Sequence, residues 1–351
     1  MILLIYITIV ATLLATILVF ALRPLAIRLQ LVDKPNDRKT HKGDIPLIGG
    51  PVIWLVILVG IIAFIPNPPW SAIAAATMLV ILGVVDDRQP IPAIIKLTFH
   101  FSAAAIVVMG ENLVISNIGI FPETFGSPEL KYLHTTLAII AIATAINAFN
   151  MIDGIDGLAA SMALLALTHT SIAFNLILGS TPNDYAAFVV LFSGALAGFL
   201  LFNLQVFNGR KIFLGDSGSM LVGLMIGTAL IGASQETTRF AESPNIPATL
   251  CLWVIAIPII DITSIVIRRL INGRSPLEPD RKHLHHKIME AGFSPRRTLL
   301  FLILSAVGAF WLGFGLATHL GETASILGFI IFVPVYYLAV LRIGILREFL
   351  R

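Results

Sequence analysis

Carboxylates and carboxamides interrupt this chain where apolar sequence would otherwise run on, and together they could bind a hard cation or a phosphate. The densest set is NAFNMIDGIDGL, residues 147–158, which places Asn147, Asn150, Asp153 and Asp156 between two apolar runs. A charged carboxylate at the centre of a bilayer costs about 2.5–3.5 kcal/mol on insertion scales, so Asp153 and Asp156 belong near water or against a ligand that offsets the cost. A plainer reading has Asp156 capping the next helix while glycines permit a tight turn. Capping accounts for one aspartate and leaves the rest of the set unexplained. Asp86 and Asp87 end another apolar run, where they face each other and the negative end of a helix dipole. Arg88 could supply part of the compensation they need; a divalent metal or a substrate cation would supply it better. Lys96 and His100, four residues apart on the following run, share a helix face near the same surface. Asp216, in FLGDSGS at the start of a further run, either caps its helix or stands where a metal and a diphosphate can approach small residues closely.

Basic groups accompany these acids. Residues 273–296, GRSPLEPDRKHLHHKIMEAGFSPR, bring His283, His285 and His286 beside Arg274, Arg281, Lys282 and Lys287. With cationic neighbours and no cysteine, these imidazoles suit a polyanion better than a zinc ion; a merely solvated loop is the other reading. Asp261 lies deep in an apolar run two turns before Arg268, with Pro258 expected to kink or open its helix. A structural hydrogen bond to a neighbouring helix is the role expected of it.

The scaffold that must position these groups follows from composition. The chain is 57% hydrophobic and 12% charged, against about 25% charged in soluble domains. An all-α polytopic membrane protein is predicted, as a single domain over residues 1–351. Eleven apolar runs are candidate spans: 2–22, 46–65, 70–85, 93–109, 133–148, 158–178, 186–202, 213–233, 248–267, 299–318 and 324–341. The first lacks a basic n-region, which argues against a cleavable signal peptide. Eleven crossings put 21 of the 23 Lys and Arg residues on one side. The positive-inside rule then sets the N-terminus in the periplasm and the C-terminus in the cytoplasm, with every polar group named above except Asp261 on the cytoplasmic face. The basic residues are flanks of spanning helices, so no nucleic-acid partner is implied. Cys251 forms no intrachain disulfide, being the single cysteine. On the outer side, residues 110–132 suggest a short hairpin. A secondary transporter would place such acids nearer the midplane.

Taken in order, LVDKPNDRKTHKGDIPLIGG, the Asp86 and Asp87 pair, INAFNMIDGIDGL, FLGDSGS, and GRSPLEPDRKHLHH followed by IMEAGFSPR resemble the polyprenyl-phosphate N-acetylhexosamine-1-phosphate transferases. The resemblance runs from residue 31 to the C-terminus, and its motifs are specific as a set. It implies transfer of N-acetylglucosamine-1-phosphate from UDP-GlcNAc to undecaprenyl phosphate with release of UMP. That step opens lipopolysaccharide O-antigen or enterobacterial common antigen assembly at the bacterial inner membrane. By the same resemblance Asp216 and Asn150 are ligands of Mg2+, with Mn2+ as an alternative. Asp86, Asp87 and Asp156 belong to the catalytic centre. Asn147, Asp153, Arg281, His283, His285 and His286 bind substrate. The family pattern has arginine and glutamine where this chain has Lys96 and His100, so no role carries over to either. Another UDP-N-acetylhexosamine donor and a homodimer stay open. Because one phosphoanhydride replaces another and a phosphomonoester with a second pKa near 6 is largely dianionic at neutral pH, direct in-line attack is expected without a strong base.

Overall fold

The computed structural model describes residues 2–34, 43–65, 67–119, 127–181, 183–207, 209–235, 246–275 and 283–349. Apolar runs become helices because a backbone in lipid must satisfy its hydrogen bonds within the segment. In chain order these are α1 (Ile2–Arg28), α2 (Gly49–Phe64), α3 (Trp70–Arg88), α4 (Ala93–Gly110), α5 (Lys131–Ile152), α6 (Leu158–Leu178) and α7 (Asn183–Asn203). They continue as α8 (Gly215–Ser234), α9 (Leu250–Val254), α10 (Ala256–Ile271), α11 (Leu284–Glu290), α12 (Pro295–Gly315) and α13 (Glu322–Phe349). The chain is therefore an all-α polytopic membrane protein.

Nine helices among the described residues are long and apolar enough to cross a membrane, fewer than the eleven spans expected. Two of the expected runs account for the difference. The second forms α2, only 16 residues long. The ninth is divided into α9 and α10 at Ile255, whose φ of −112° and ψ of 31° leave the helical region. Pro258 explains the break: it has no N–H to offer the Val254 carbonyl, and its ring crowds that carbonyl.

Helix α8 is the axis of the bundle, with 94% of its spanning window buried. Small residues make this possible, as they do between helices in lipid generally. A Cβ at Gly223 would lie 2.5 Å from Ile146 Cα of α5, and one at Gly83 of α3 would lie 2.2 Å from Ser217 Cα. On the flank, α1 packs on α7 through Gly194 and Gly198, and Thr12 Oγ1 donates to the Gly194 carbonyl at 3.2 Å.

A two-stranded antiparallel ribbon, β1 (Val32–Asp33) and β2 (Ile45–Pro46), follows α1. The adjoining Gly49 and Gly50 amides donate to the Phe213 and Leu214 carbonyls at 2.9 and 3.1 Å, tying the start of α2 to the start of α8. At the far end of α8, Gln235 Oε1 accepts from the Ser116 and Asn117 amides, and Gln235 Nε2 donates to the Asn117 carbonyl. Residues 113–119 form no strand, and residues 120–126, which the hairpin expected over 110–132 needs for its second strand and return, lie outside the described residues.

Candidate active site at one end of the helix bundle

The end of the bundle that carries the polar motifs is built on the N-terminus of α8. Gly215, at φ +72°, turns the chain into that helix, and Asp87 closes it from α3. Asp87 Oδ1 accepts from the Asp216 amide at 2.8 Å, and Asp87 Oδ2 accepts from Ser217 Oγ at 3.1 Å and the Ser217 amide at 3.4 Å. A carboxylate at the C-terminus of one helix thus meets the positive end of another, which reverses its unfavourable place in its own dipole. Asp86 finds a different partner. Its Oδ1 accepts from the Ile91 amide at 2.6 Å and its Oδ2 from Lys96 Nζ at 2.7 Å. The compensation expected from Arg88 comes instead from α8 and from Lys96.

Lys96 also reaches Asp216 Oδ2 at 3.2 Å, and Asn150 Nδ2 donates to Asp216 Oδ1 at 3.1 Å and to Ser219 Oγ at 2.9 Å. Asp86, Asp87, Asn150 and Asp216 therefore converge from α3, α5 and α8 on the N-terminus of α8, with the Lys96 ammonium bridging Asp86 and Asp216. Asn147 sits one turn deeper, donating to the Ala143 carbonyl at 3.2 Å. Beside it His100, fully buried, faces Met220 Sδ at 3.0 Å.

After α5 the chain turns through Asp153 to Gly157, which has φ +77° and begins α6 without a side-chain cap. Asp156 pairs with Lys211 Nζ at 2.6 Å, so the capping role considered for it is not the one taken. Burial, followed by the charges of Asp216, Asp87 and Asp156, holds the Asp153 carboxyl well above the usual carboxylate range. Such a crowd of acids favours an added cation.

The histidine segment packs onto this turn. His283 Nδ1 lies 2.8 Å from Asp261 Oδ2, and the Leu284 amide donates to Asp261 Oδ1 at 2.7 Å. The neighbour-helix bond expected of Asp261 thus goes to the start of α11. His285 is 1% exposed and lies against Gly154: a Cβ there would come within 2.1 Å of its Nε2. Neither of its ring nitrogens makes a hydrogen bond, and burial, with the charges of His286 and His283, pushes its pKa down to about 3. The rings of His285 and His286 are 4.2 Å apart, and His286 is the most accessible of the three. Arg281, the fourth member expected here, lies outside the described residues.

Among the described residues no three His, Cys, Asp or Glu side chains form a ready-made metal cage. The donor chemistry at Asp216 nevertheless suits one metal class. Two carboxylates and a carboxamide, with a cation already between the acids, fit a hard divalent ion that keeps several waters and takes its other ligands from phosphate oxygens. A half-turn of the Asn150 amide presents its oxygen in place of its nitrogen. Sequence patterns left Lys96 without a role and missed Lys211 and Ser219. The one available signal was that Lys96 begins the helix next after Asp86 on the same side of the membrane.

Comparison with known proteins gives the family. Residues 69–234, from the start of α3 to the end of α8, match glycosyl transferase family 4. The chain is 35% identical over 302 residues to the undecaprenyl-phosphate alpha-N-acetylglucosaminyl 1-phosphate transferase of Escherichia coli O157:H7, covering 83% of this chain and 78% of the relative. The protein of the same description from Pasteurella multocida (strain Pm70) is 33% identical over 340 residues, 94% of this chain and 91% of the relative.

Proposed function

This chain belongs to glycosyl transferase family 4, and from that premise we propose that it transfers N-acetylglucosamine-1-phosphate from UDP-N-acetylglucosamine to undecaprenyl phosphate. The observation that carries the reading is the meeting of Asp86, Asp87, Asn150 and Asp216 at one end of a membrane bundle, with Lys96 bridging Asp86 and Asp216.

In the reaction an oxygen of the lipid phosphate attacks the phosphorus that bears the sugar. The bond from that phosphorus to the bridging oxygen breaks, and UMP leaves with the oxygen. The attacking phosphate is largely dianionic at neutral pH, so no proton has to be removed from it. Asp86 and Asp87 accordingly act by position. Asp87 holds the first amides of α8 and Asp86 holds Lys96, and both thereby fix Asp216. A divalent ion on Asp216 and Asn150, Mg2+ or in its place Mn2+, would offset the charge of the two phosphates as they approach. Asp153 and Asp156 shape the nucleotide side of the site, with Lys211 steadying Asp156. Arg281, His283 and His286 hold the phosphates of the nucleotide sugar, while His285, expected among them, is buried against Gly154 and packs the segment onto the acidic turn. The distribution of Lys and Arg favours eleven crossings with the site at the cytoplasmic face of the inner membrane.

The test is purified protein in nanodiscs given UDP-N-acetylglucosamine, undecaprenyl phosphate and Mg2+. UMP and the diphospholipid product are expected in equal amounts. UMP without lipid product would mean hydrolysis and would sink the transfer reading. Turnover only with a different UDP-N-acetylhexosamine would replace the donor.

A further inference from the structure

Asp261 has no part in the transfer outlined above, yet it is 0% exposed, and both of its carboxylate oxygens are spent on the histidine segment. It stands early in α10, just past the opening made by Pro258. His283 is the N-cap residue of α11 but makes no side-chain cap of its own; Asp261 accepts the Leu284 amide instead. A carboxylate only accepts hydrogen bonds, so the His283 nitrogen facing it, Nδ1, must carry a proton. The other nitrogen, Nε2, then points away from Asp261. His283 keeps 11% of its side chain accessible while Asp261 keeps none.

We propose that Asp261 is a positioning residue for donor binding: it fixes His283 with its proton on Nδ1 and presents Nε2 to the phosphates of the nucleotide sugar. The proposal rests on the reading that the histidine segment faces those phosphates. With Nδ1–H held by the carboxylate, Nε2 is the nitrogen left to meet the donor, and it donates to a phosphate oxygen in the form of the ring that carries a proton there. Asp261→Asn would undo this arrangement while keeping size and shape. Its single carbonyl oxygen goes to the Leu284 amide, its NH2 faces His283 Nδ1, and the ring is forced to the opposite, uncharged tautomer.

The experiment uses full-length protein in nanodiscs and a double-mutant cycle over Asp261→Asn and His283→Ala. UDP-N-acetylglucosamine binding is measured by calorimetry, folding by thermal unfolding, and the protonated nitrogen of His283 by 15N-histidine NMR, assigned from the signal lost in His283→Ala. The expected wild-type spectrum has a protonated Nδ1. Asp261→Asn is expected to lose that proton and to raise the donor Kd roughly ten- to hundredfold, the range of a lost charge-assisted bond. In the His283→Ala background the same change should add less than about twofold, since no ring is left to position. A wild-type His283 protonated on Nε2 alone overturns the proposal, and this reading survives any failure of Asp261→Asn to fold. Equal losses in both backgrounds also overturn it, because Asp261 would then act through the helix cap alone. If His283→Ala weakens the donor and a folded Asp261→Asn does not, only the role of Asp261 falls. If His283→Ala binds the donor as wild type does, the phosphate-facing reading of the histidine segment falls and takes the proposal with it.

Discussion

Replacing Gly154 with alanine tests whether the histidine helix is docked on the acidic turn. The new methyl group would lie 2.1 Å from His285 Nε2 and 2.2 Å from Cε1, where ordinary contact begins at 3.4 Å, so turn and helix must part by about 1.3 Å. His285 has little freedom to yield, being 1% exposed with its ring 4.2 Å from His286 and 5.5 Å from His283. Gly154 is not in the left-handed region, so the effect reports contact and not backbone strain. Overpacking of this kind costs about 1–3 kcal/mol. Here the cost falls on the docking of α11, because the rest of the bundle is held by α8, and it corresponds to a roughly 5- to 150-fold larger undocked fraction. Hydrogen exchange over residues 284–290 should accelerate by that factor in Gly154→Ala, with a raised KM for the UDP-sugar and little change in the unfolding midpoint of the bundle. Adding His285→Ala removes the clash and should bring exchange back to the level of His285→Ala alone. Unchanged protection over 284–290 in Gly154→Ala, or no relief from the second substitution, would refute the docking argument.

Further outcomes follow from the same geometry. Gly50→Ala brings a Cβ within 2.4 Å of the Gly218 amide nitrogen, a backbone atom that cannot rotate aside, and should lower the unfolding midpoint and abolish turnover together. Turnover retained by that variant would deny that α2 and α8 meet there. Lys96→Gln removes the cation shared by Asp86 and Asp216; with Lys96 23% exposed, the loss in metal-free protein is set at about 3 kcal/mol, the low end for a buried pair. Mg2+ should then raise the unfolding midpoint more in Lys96→Gln than in wild type, and an equal rise would count against a cation site between these acids. Chelating divalent ions should stop UMP release and adding Mg2+ should restore it; release that persists in chelator rules out the role given to Asp216 and Asn150. For His285 the folded pKa of about 3 lies below the ordinary 6.5, so between those values the released helix binds a proton that the docked helix does not. Docking is therefore fully present above pH 6.5 and weakens as pH falls, by at most about 1.4 kcal/mol per pH unit. Hydrogen exchange over 284–290, corrected for its intrinsic rate, should show about fivefold more opening at pH 5.5 than at 6.5, a difference that His285→Leu abolishes.

Much of the architecture was legible from hydropathy, because lipid leaves a spanning backbone no alternative to the helix. The predicted run at 70–85 ends within a turn of α3, the run at 158–178 coincides with α6, and Pro258 announced the division between α9 and α10. The residue types of the site were legible too, since acids, amides and imidazoles stand out against apolar sequence and their order matches a known family. Their pairing was not. Asp87 caps a helix through an amide 129 residues later, Asp156 bonds Lys211 and not the helix it precedes, and Asp261 serves His283 across a loop. In sequence, two of these acids have a nearer and equally sensible partner: Arg88 for Asp87 at the end of α3, the amides of α6 for Asp156. Which partner is met depends on which helix faces touch. That was decided by close approaches such as Gly83 on Ser217 and Gly223 on Ile146, where a missing Cβ lets backbones meet. Periodicity along one helix carries no record of the helix packed against it, so the sequence determined the groups available for chemistry, and the packing around α8 decided which of them act together.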